Sequence, residues 1–296
     1  MSARIIDGKA TAQQIKDEVH EDTARFKAEH GTVPGLAFLI VGEDPASQYY
    51  VRSKGKACDF CGFYSETLEK EAGISQQEVL DIVEGWNNRD DIHGILVQLP
   101  LPDHIDENAV ILTINPDKDV DGFHPVSMGR LVIGQEGLQP CTPAGIQELL
   151  KRYNVETKGK HVVVVGRSNI VGKPIANMLV QKQEAANAIV TVAHSAAEDL
   201  GALTRQADIL IAAVGRPEMI TADMVKEGVV AIDVGINRVE DPSKEKGYRV
   251  TGDIAYDEVA EKASMITPVP GGVGPMTIAM LMKNTLSAAN RLVTAK

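Results

Sequence analysis

The stretch "HVVVVGRSNIVGKP", residues 161–174, decides the fold. A run of β-branched residues reads as a buried strand and ends in Gly166. A helix-compatible segment follows. Strand, tight turn and helix in this order form the geometry that aims backbone N–H groups at a pyrophosphate. The usual G-x-G-x-x-G spacing is absent: Arg167 and Ser168 occupy the turn, and the next glycine is Gly172. Gly166 lets the chain turn, and Gly172 allows close approach of helix to strand or ligand. A Walker A loop is the competing reading. It fails because five residues separate Gly166 from Gly172-Lys173, and because Pro174 stands where a hydroxyl would hold magnesium.

The next strand, 188–194, adds the cofactor's identity. An NAD site usually carries an acid at this strand end to accept the ribose hydroxyls. Here the strand ends "TVAHS", with Ser195 and no carboxylate. A carboxylate would repel a ribose 2′-phosphate, whereas a serine can donate to one and an arginine can pair with it bidentately. Arg167, Ser168 and Ser195 therefore favour NADP over NAD. The plainer alternative is that Arg167 only solvates a loop.

Outward from this unit, helical and strand patterns alternate along the chain. Helices are expected at 9–30, 45–61, 75–88, 106–114, 143–153 and 276–293. Strands are expected at 35–42, 94–101, 161–166, 208–214, 229–234 and 264–269, besides 188–194. Such alternation means parallel β-α-β units and an α/β fold. "PDKDVDGFHP", 116–125, breaks the rhythm, and two α/β domains are expected with a boundary near residue 141. The charged "EDPSKEKGYR", 240–249, reads as an exposed hairpin or loop.

Composition bounds the function. A chain of 296 residues with 44% hydrophobic content can build two cores. A net charge of −11 argues against a general nucleic-acid binder but leaves room for a local anion pocket. No apolar run has the length of a membrane span, and the first residues carry no apolar signal core, so a cytoplasmic protein is expected. Cys58, Cys61 and Cys141 fit a reducing compartment. Cys58 and Cys61 are formally C-x-x-C, but no second pair completes a zinc site, and two thiols on a helix is the favoured reading. The histidines lack metal-ligand spacing, so no metal is expected. His124 and His194 read as a loop and a strand-end residue.

Chemistry in the first domain rests on a few positions. In "PASQYYVRSKGKAC", 45–58, Tyr50 and Lys54 share a helix face. Surface decoration is the ordinary meaning of such a pair. Gln98 lies at the carboxyl end of a strand, the edge where open α/β sheets bind ligands. Asp119 and Asp121 lie in the loop beyond.

Six segments carry a resemblance. "PASQYYVRSKGKAC", "GILVQLPLP", "PDKDVDGFHPVSMGRL", "PCTPAGI", "VVVGRSNIVGKP" and "ITPVPGGVGPMTIAMLM" occur in this order. Together they resemble the bifunctional methylenetetrahydrofolate dehydrogenase/methenyltetrahydrofolate cyclohydrolase family over nearly the whole chain. The resemblance implies a folate-binding catalytic domain, 1–141, completed by the last helix at 276–296. It also implies a Rossmann-like NADP-binding domain, 142–275, a ligand cleft between the two, and a homodimer formed through the nucleotide lobe. The implied partners are tetrahydrofolate one-carbon derivatives, in one-carbon metabolism and purine biosynthesis.

The implied reaction oxidises 5,10-methylenetetrahydrofolate with NADP, then hydrolyses the methenyl cation to 10-formyltetrahydrofolate. Lys54 matches the family's essential lysine and would assist proton transfer during hydration and ring opening. A full ammonium beside a cationic substrate is repelled, so a substantially neutral amine is expected while that cation is bound. Gln98 would orient Lys54, Tyr50 would border the folate rings, and Asp121 would accept hydrogen bonds from the pterin edge. Backbone of Val97 and Leu99 would line the same pocket. In "PGGVGPMT", Pro270, Gly271, Gly272 and Val273 would meet substrate. Thr277 would cap the last helix or touch the cofactor, and Gly215 and Ile236 match positions on the nicotinamide half. The 240–249 segment is longer than in compact relatives but lies away from these motifs. Two rivals stay open: an NADP dehydrogenase of a small hydroxy acid, which would want a Lys–Asp pair in its cleft, and a non-catalytic NADP-binding regulator. Substrate assays separate the first, and a Lys54→Met variant the second.

Overall fold

The computed structural model describes residues 3–244 and 247–294. In chain order the first elements are β1 (Arg4–Ile5), α1 (Gly8–His30), β2 (Gly35–Val41), α2 (Pro45–Cys61), β3 (Tyr64–Lys70), α3 (Gln76–Asn87) and β4 (Gly94–Val97). Next come α4 (Glu107–Thr113), α5 (Pro125–Val132), α6 (Cys141–Arg152), β5 (His161–Val165), α7 (Gly172–Val180) and β6 (Ile189–Ala193). The remainder is α8 (Leu200–Thr204), β7 (Ile209–Ala212), β8 (Val230–Asp233), β9 (Asn237–Glu240), β10 (Tyr248–Thr251), α9 (Tyr256–Ala260), β11 (Met265–Ile266) and α10 (Val273–Thr294).

The chain divides into two compact units: residues 13–141 with 278–296, and residues 1–12 with 142–277. In the first unit β2 lies between β3 and β4, and both pairings are parallel. Every residue of β2 is buried, as an apolar run in a parallel sheet requires. Because β3 adds to one side of β2 and β4 to the other, the connection reverses direction between β2 and β4. The crevice outside the carboxyl ends of the strands at such a switch is where open α/β sheets bind ligands.

The second unit holds a six-stranded sheet ordered β1-β11-β8-β7-β5-β6, with every pairing parallel. Valines 162–165 of β5, which lies between β7 and the edge strand β6, are fully buried. Its switch point lies between β5 and β7, so Gly166 and the stretch after β7 share one sheet edge.

The first twelve residues depart from the expected domain division. They cluster with the second unit because β1 pairs with β11, Arg4 opposite Met265 and Ile5 opposite Ile266. Segment 240–249 is flanked by the antiparallel pair β9 and β10, as a hairpin reading expects. Positions 245 and 246 within it, and 1, 2, 295 and 296 at the ends of the expected domains, lie outside the described residues. The polar strand β3 and the short helix α5 fall where no element was expected.

Candidate active site

Helix α2 follows β2, and Gln98 follows β4, so both stand at the switch point of the first unit. Asp44 caps α2 by accepting the Ser47 N–H at 2.7 Å, Pro45 takes the first turn, and Gly62 in the left-handed region ends the helix. The buried stripe of this helix runs through Ser47, Val51, Lys54, Cys58 and Cys61. Lys54 is only 8% exposed, so it is not surface decoration. Its ammonium donates to Gln98 Oε1 at 3.0 Å. Gln98 is itself fixed: its Nε2 donates to Leu99 O at 2.7 Å and its backbone N–H to Leu39 O at 2.8 Å. Tyr50, one turn before Lys54, is largely exposed. The Val97 side chain is buried in the sheet's core, which leaves its backbone for any ligand.

The same stripe explains the C-x-x-C. Cys58 packs against Met282 and Cys61 against the Lys16 carbonyl. Burial raises both thiols, Cys61 to about 12 and Cys58 further, so neither is a nucleophile near neutral pH.

The loop "PDKDVDGFHP" distributes its charges by task. Asp117 pairs with Arg130 at 3.0 Å. Lys118 is buried and donates to the carbonyls of Trp86, Asn87 and Arg89 at 3.1, 2.8 and 2.7 Å, closing the end of α3. Asp119 accepts the N–H groups of Gly122, Phe123 and His124 and the Ser127 hydroxyl, which nucleates the turn. Asp121 is the remaining aspartate, and it is only partly buried. Burial pushes its carboxyl above the ordinary range, the Lys54 charge opposes that, and Asp119 adds to it. Asn284 of α10 braces this loop by donating to Val120 O and Gln139 O, each at 2.8 Å. Sequence reasoning missed Asn284 because nothing local marks an asparagine inside an apolar helix as a brace.

In the second unit, the turn after β5 is built by packing. A side chain at Gly166, whose φ is +127°, would overlap the Ala213 carbonyl, and one at Gly172 would overlap the Gly166 carbonyl. Ser168 Oγ accepts the N–H groups of Val171 and Gly172 at 3.1 and 3.3 Å, and Ser168 O accepts that of Lys173 at 3.0 Å. Pro174 has no N–H to offer. The start of α7 is thus satisfied within its own turn, which corrects the expectation that its N–H groups point at a pyrophosphate. The exposed Arg167 guanidinium and the Ser168 hydroxyl hydrogen are side-chain donors this turn can extend. Ser195 is exposed at the end of β6, after His194 folds the chain by accepting the Ala196 N–H. Gly215 and Ile236 follow β7 and β8, and Ile236 is 53% exposed, unusual for an isoleucine at a buried strand's end.

The segment 268–277 is tightly seated. Gly271, with φ +107°, accepts the Lys9 N–H on its carbonyl at 2.9 Å, and a side chain at Gly8 would overlap Gly272. Pro270 is exposed, but Gly272 is buried and the Val273 side chain is only 3% exposed, so Val273 can meet a ligand only through backbone. Helix α10 begins at Val273 rather than near 276, so Thr277 lies inside it and does not cap it. Its hydroxyl instead meets that of Thr142 at 2.9 Å.

Sequence comparison fits this pairing of a buried lysine and a dinucleotide-type turn. Residues 6–121 match the "Tetrahydrofolate dehydrogenase/cyclohydrolase, catalytic domain" and residues 140–293 its "NAD(P)-binding domain". The chain belongs to the tetrahydrofolate dehydrogenase/cyclohydrolase family. Within this family it is 59% identical to the bifunctional protein FolD of Chlorobium phaeobacteroides, over 98% of this chain and 99% of that one. The crystal structure of the bifunctional FolD enzyme of Campylobacter jejuni superposes with a TM-score of 0.92 at 47% identity, covering 98% of this chain and 99% of that one. A Trypanosoma brucei dehydrogenase-cyclohydrolase complexed with NADP cofactor and inhibitor gives 0.93 at 42% identity, with 98% of each chain covered. Among the described residues, no helix is long and apolar enough to cross a membrane.

Proposed function

We propose that this family member oxidises 5,10-methylenetetrahydrofolate to the methenyl form with NADP and hydrolyses that cation to 10-formyltetrahydrofolate. The observation that carries the reading is the buried Lys54 amine bonded to Gln98 at the sheet's switch point. NADP supplies the hydride acceptor. The chemistry of the second unit's edge fits that group: Arg167 and Ser168 can donate to phosphate, and Ser195 stands where a carboxylate would repel a 2′-phosphate.

Hydration requires proton transfer. Lys54 relays a proton away from the water that adds to the methenyl carbon and toward the ring nitrogen as the carbon–nitrogen bond breaks. The adduct's hydroxyl loses its proton to solvent as the formyl carbonyl forms, so one proton is released overall. Gln98 Oε1 accepts one N–H of Lys54, which fixes the direction of that side chain. Tyr50 borders the folate rings and helps aim Lys54, and Asp121 accepts from the pterin edge. Backbone at Val97 and Leu99 lines the substrate, and Gly166, Gly172, Gly215, Ile236 and Thr277 line the cofactor.

The protein works as a cytoplasmic homodimer. Support for the dimer comes from β6, an edge strand on which Ile189 is 63% exposed and Val192 is also exposed. Replacing Ile189 by Asp should shift the sedimenting species to monomer, and an unchanged dimer would place the interface elsewhere.

The deciding assay mixes the protein with methylenetetrahydrofolate and each nicotinamide cofactor, follows cofactor reduction by absorbance and identifies the folate product. Reduction of NADP with formation of 10-formyltetrahydrofolate is expected. Absence of reduction with either cofactor would overturn the reading.

A further inference from the structure

One buried carboxylate ties together the two strand-end segments that carry Gly215 and Ile236. Asp253 is fully buried. It accepts the N–H groups of Val214, Gly215 and Arg216 at 2.6, 3.0 and 3.0 Å, and the side-chain amide of Asn237 at 2.9 Å. Asp253 is seated in turn by Asp233, whose carboxylate accepts the N–H groups of Gly235, Asp253 and Ile254, each at 2.9 Å. Thr267 Oγ1 accepts the Asp233 N–H at 2.7 Å. Side chains at 252 and 235 would overlap the carboxylates of Asp233 and Asp253 respectively, so both positions are glycine.

A buried carboxylate must be satisfied by donors. Three successive N–H groups that converge on one anion cannot turn outward without stranding its charge, so residues 214–216 are held in a single conformation. Their N–H groups are already committed. Any contact that the backbone of this stretch makes with a ligand therefore comes from its carbonyl oxygens, which are acceptors, while the exposed Arg216 guanidinium is a separate donor. A phosphate needs donors and would find none on this backbone. The carboxamide of a nicotinamide carries an NH2 donor and is matched. At the neighbouring strand end, β5, the turn extends donors from Arg167 and Ser168 and suits phosphate. The polarity of the two strand ends thus orients a dinucleotide.

We propose that Asp253 is a positioning residue for the dehydrogenase step, fixing residues 214–216 and the turn before Asn237 so that their carbonyl oxygens and the Ile236 side chain meet the nicotinamide. This deepens the cofactor reading given above and rests on it.

The test uses the full-length protein with Asp253→Asn and, separately, Asn237→Ala. Three quantities are measured: kcat and KM for NADP in the dehydrogenase reaction, hydrolysis of methenyltetrahydrofolate supplied directly, and NADPH binding by fluorescence. Hydrolysis needs no nicotinamide and reports on general damage. Asp253→Asn turns an amide donor toward N–H groups, and dehydrogenase kcat should fall about 10- to 100-fold with a raised KM for NADP. Hydrolysis should stay within about twofold, and Asn237→Ala should move the same two parameters about two- to tenfold. Equal loss of both activities in both variants would make Asp253 a residue of general stability and overturn the proposal. So would unchanged kinetics in both. If Asp253→Asn does not fold, Asn237→Ala decides by the same criterion. Failure of the unaltered protein to bind NADPH would overturn the cofactor reading, whereas normal binding with unaffected variants would overturn only the role of Asp253.

Discussion

Lys54 is flanked along its buried stripe by Val51 and Cys58, and a methionine there would pack as well as these neighbours. Lys54→Met should therefore leave the melting temperature equal or higher, since a buried cation is removed. Hydrolysis of methenyltetrahydrofolate should fall by at least about a hundredfold. Absorbance decay of that substrate and thermal unfolding check both halves, and normal hydrolysis would remove Lys54 from the mechanism. Arg167→Ala should raise KM for NADP about tenfold and leave that for NAD nearly unchanged, because one charge-assisted contact to the 2′-phosphate is lost. An equal rise for both cofactors would mean that Arg167 meets the shared pyrophosphate. The Lys54–Gln98 contact was legible in the sequence through motif order. Asp253 and Asn284 were not. Their partners are backbone groups at 214–216 and at 120 and 139, and no pattern local to either residue encodes a contact with distant backbone.

Elements were legible where an apolar period was strong. The seven-residue β2, buried throughout, and the β5 valines could be read directly. β3, "YSETLEK", could not: it is an edge strand whose side chains are polar and half exposed, and it is held by pairing with β2 along its whole length. The β5–α7 stretch was legible as a strand–turn–helix unit, but its self-satisfied helix start was not, because a serine spacing alone does not say which N–H groups the hydroxyl will accept. The glycine pair makes the turn testable. Gly172→Ala sets a methyl group against the Gly166 carbonyl, and should cost on the order of 3 kcal/mol while abolishing NADPH binding. Denaturant titration and fluorescence check this. Hydrolysis by the remaining folded protein should persist.

For the molecule as a whole, Asp233 sets an acid-range signature. Burial raises its carboxyl to about 6, the Asp253 charge adds to that, and three N–H bonds oppose it. The folded state thus holds a proton that the unfolded chain has already released. The contribution of Asp233 to stability is greatest below the ordinary carboxylate range and is lost as pH rises toward and through about 6. The unfolding free energy of the protein, minus that of Asp233→Asn, should fall by roughly 2–3 kcal/mol between about pH 4 and pH 7. Urea titrations across that range check it, and a flat difference would show that Asp233 titrates normally. The two-unit architecture was legible from alternating elements, but the placement of the first twelve residues was not, since a two-residue strand has no periodicity to read.

That two-residue strand carries a consequence for biosynthesis. Arg4 and Ile5 leave the ribosome long before their partners Met265 and Ile266 are made. The outermost ribbon of the nucleotide-binding sheet therefore waits, unzipped, while the whole stretch between them is translated. Excising 142–277 as a separate polypeptide would leave β11 as a raw border prone to self-association, and grafting residues 1–12 back by a tether should restore its solubility.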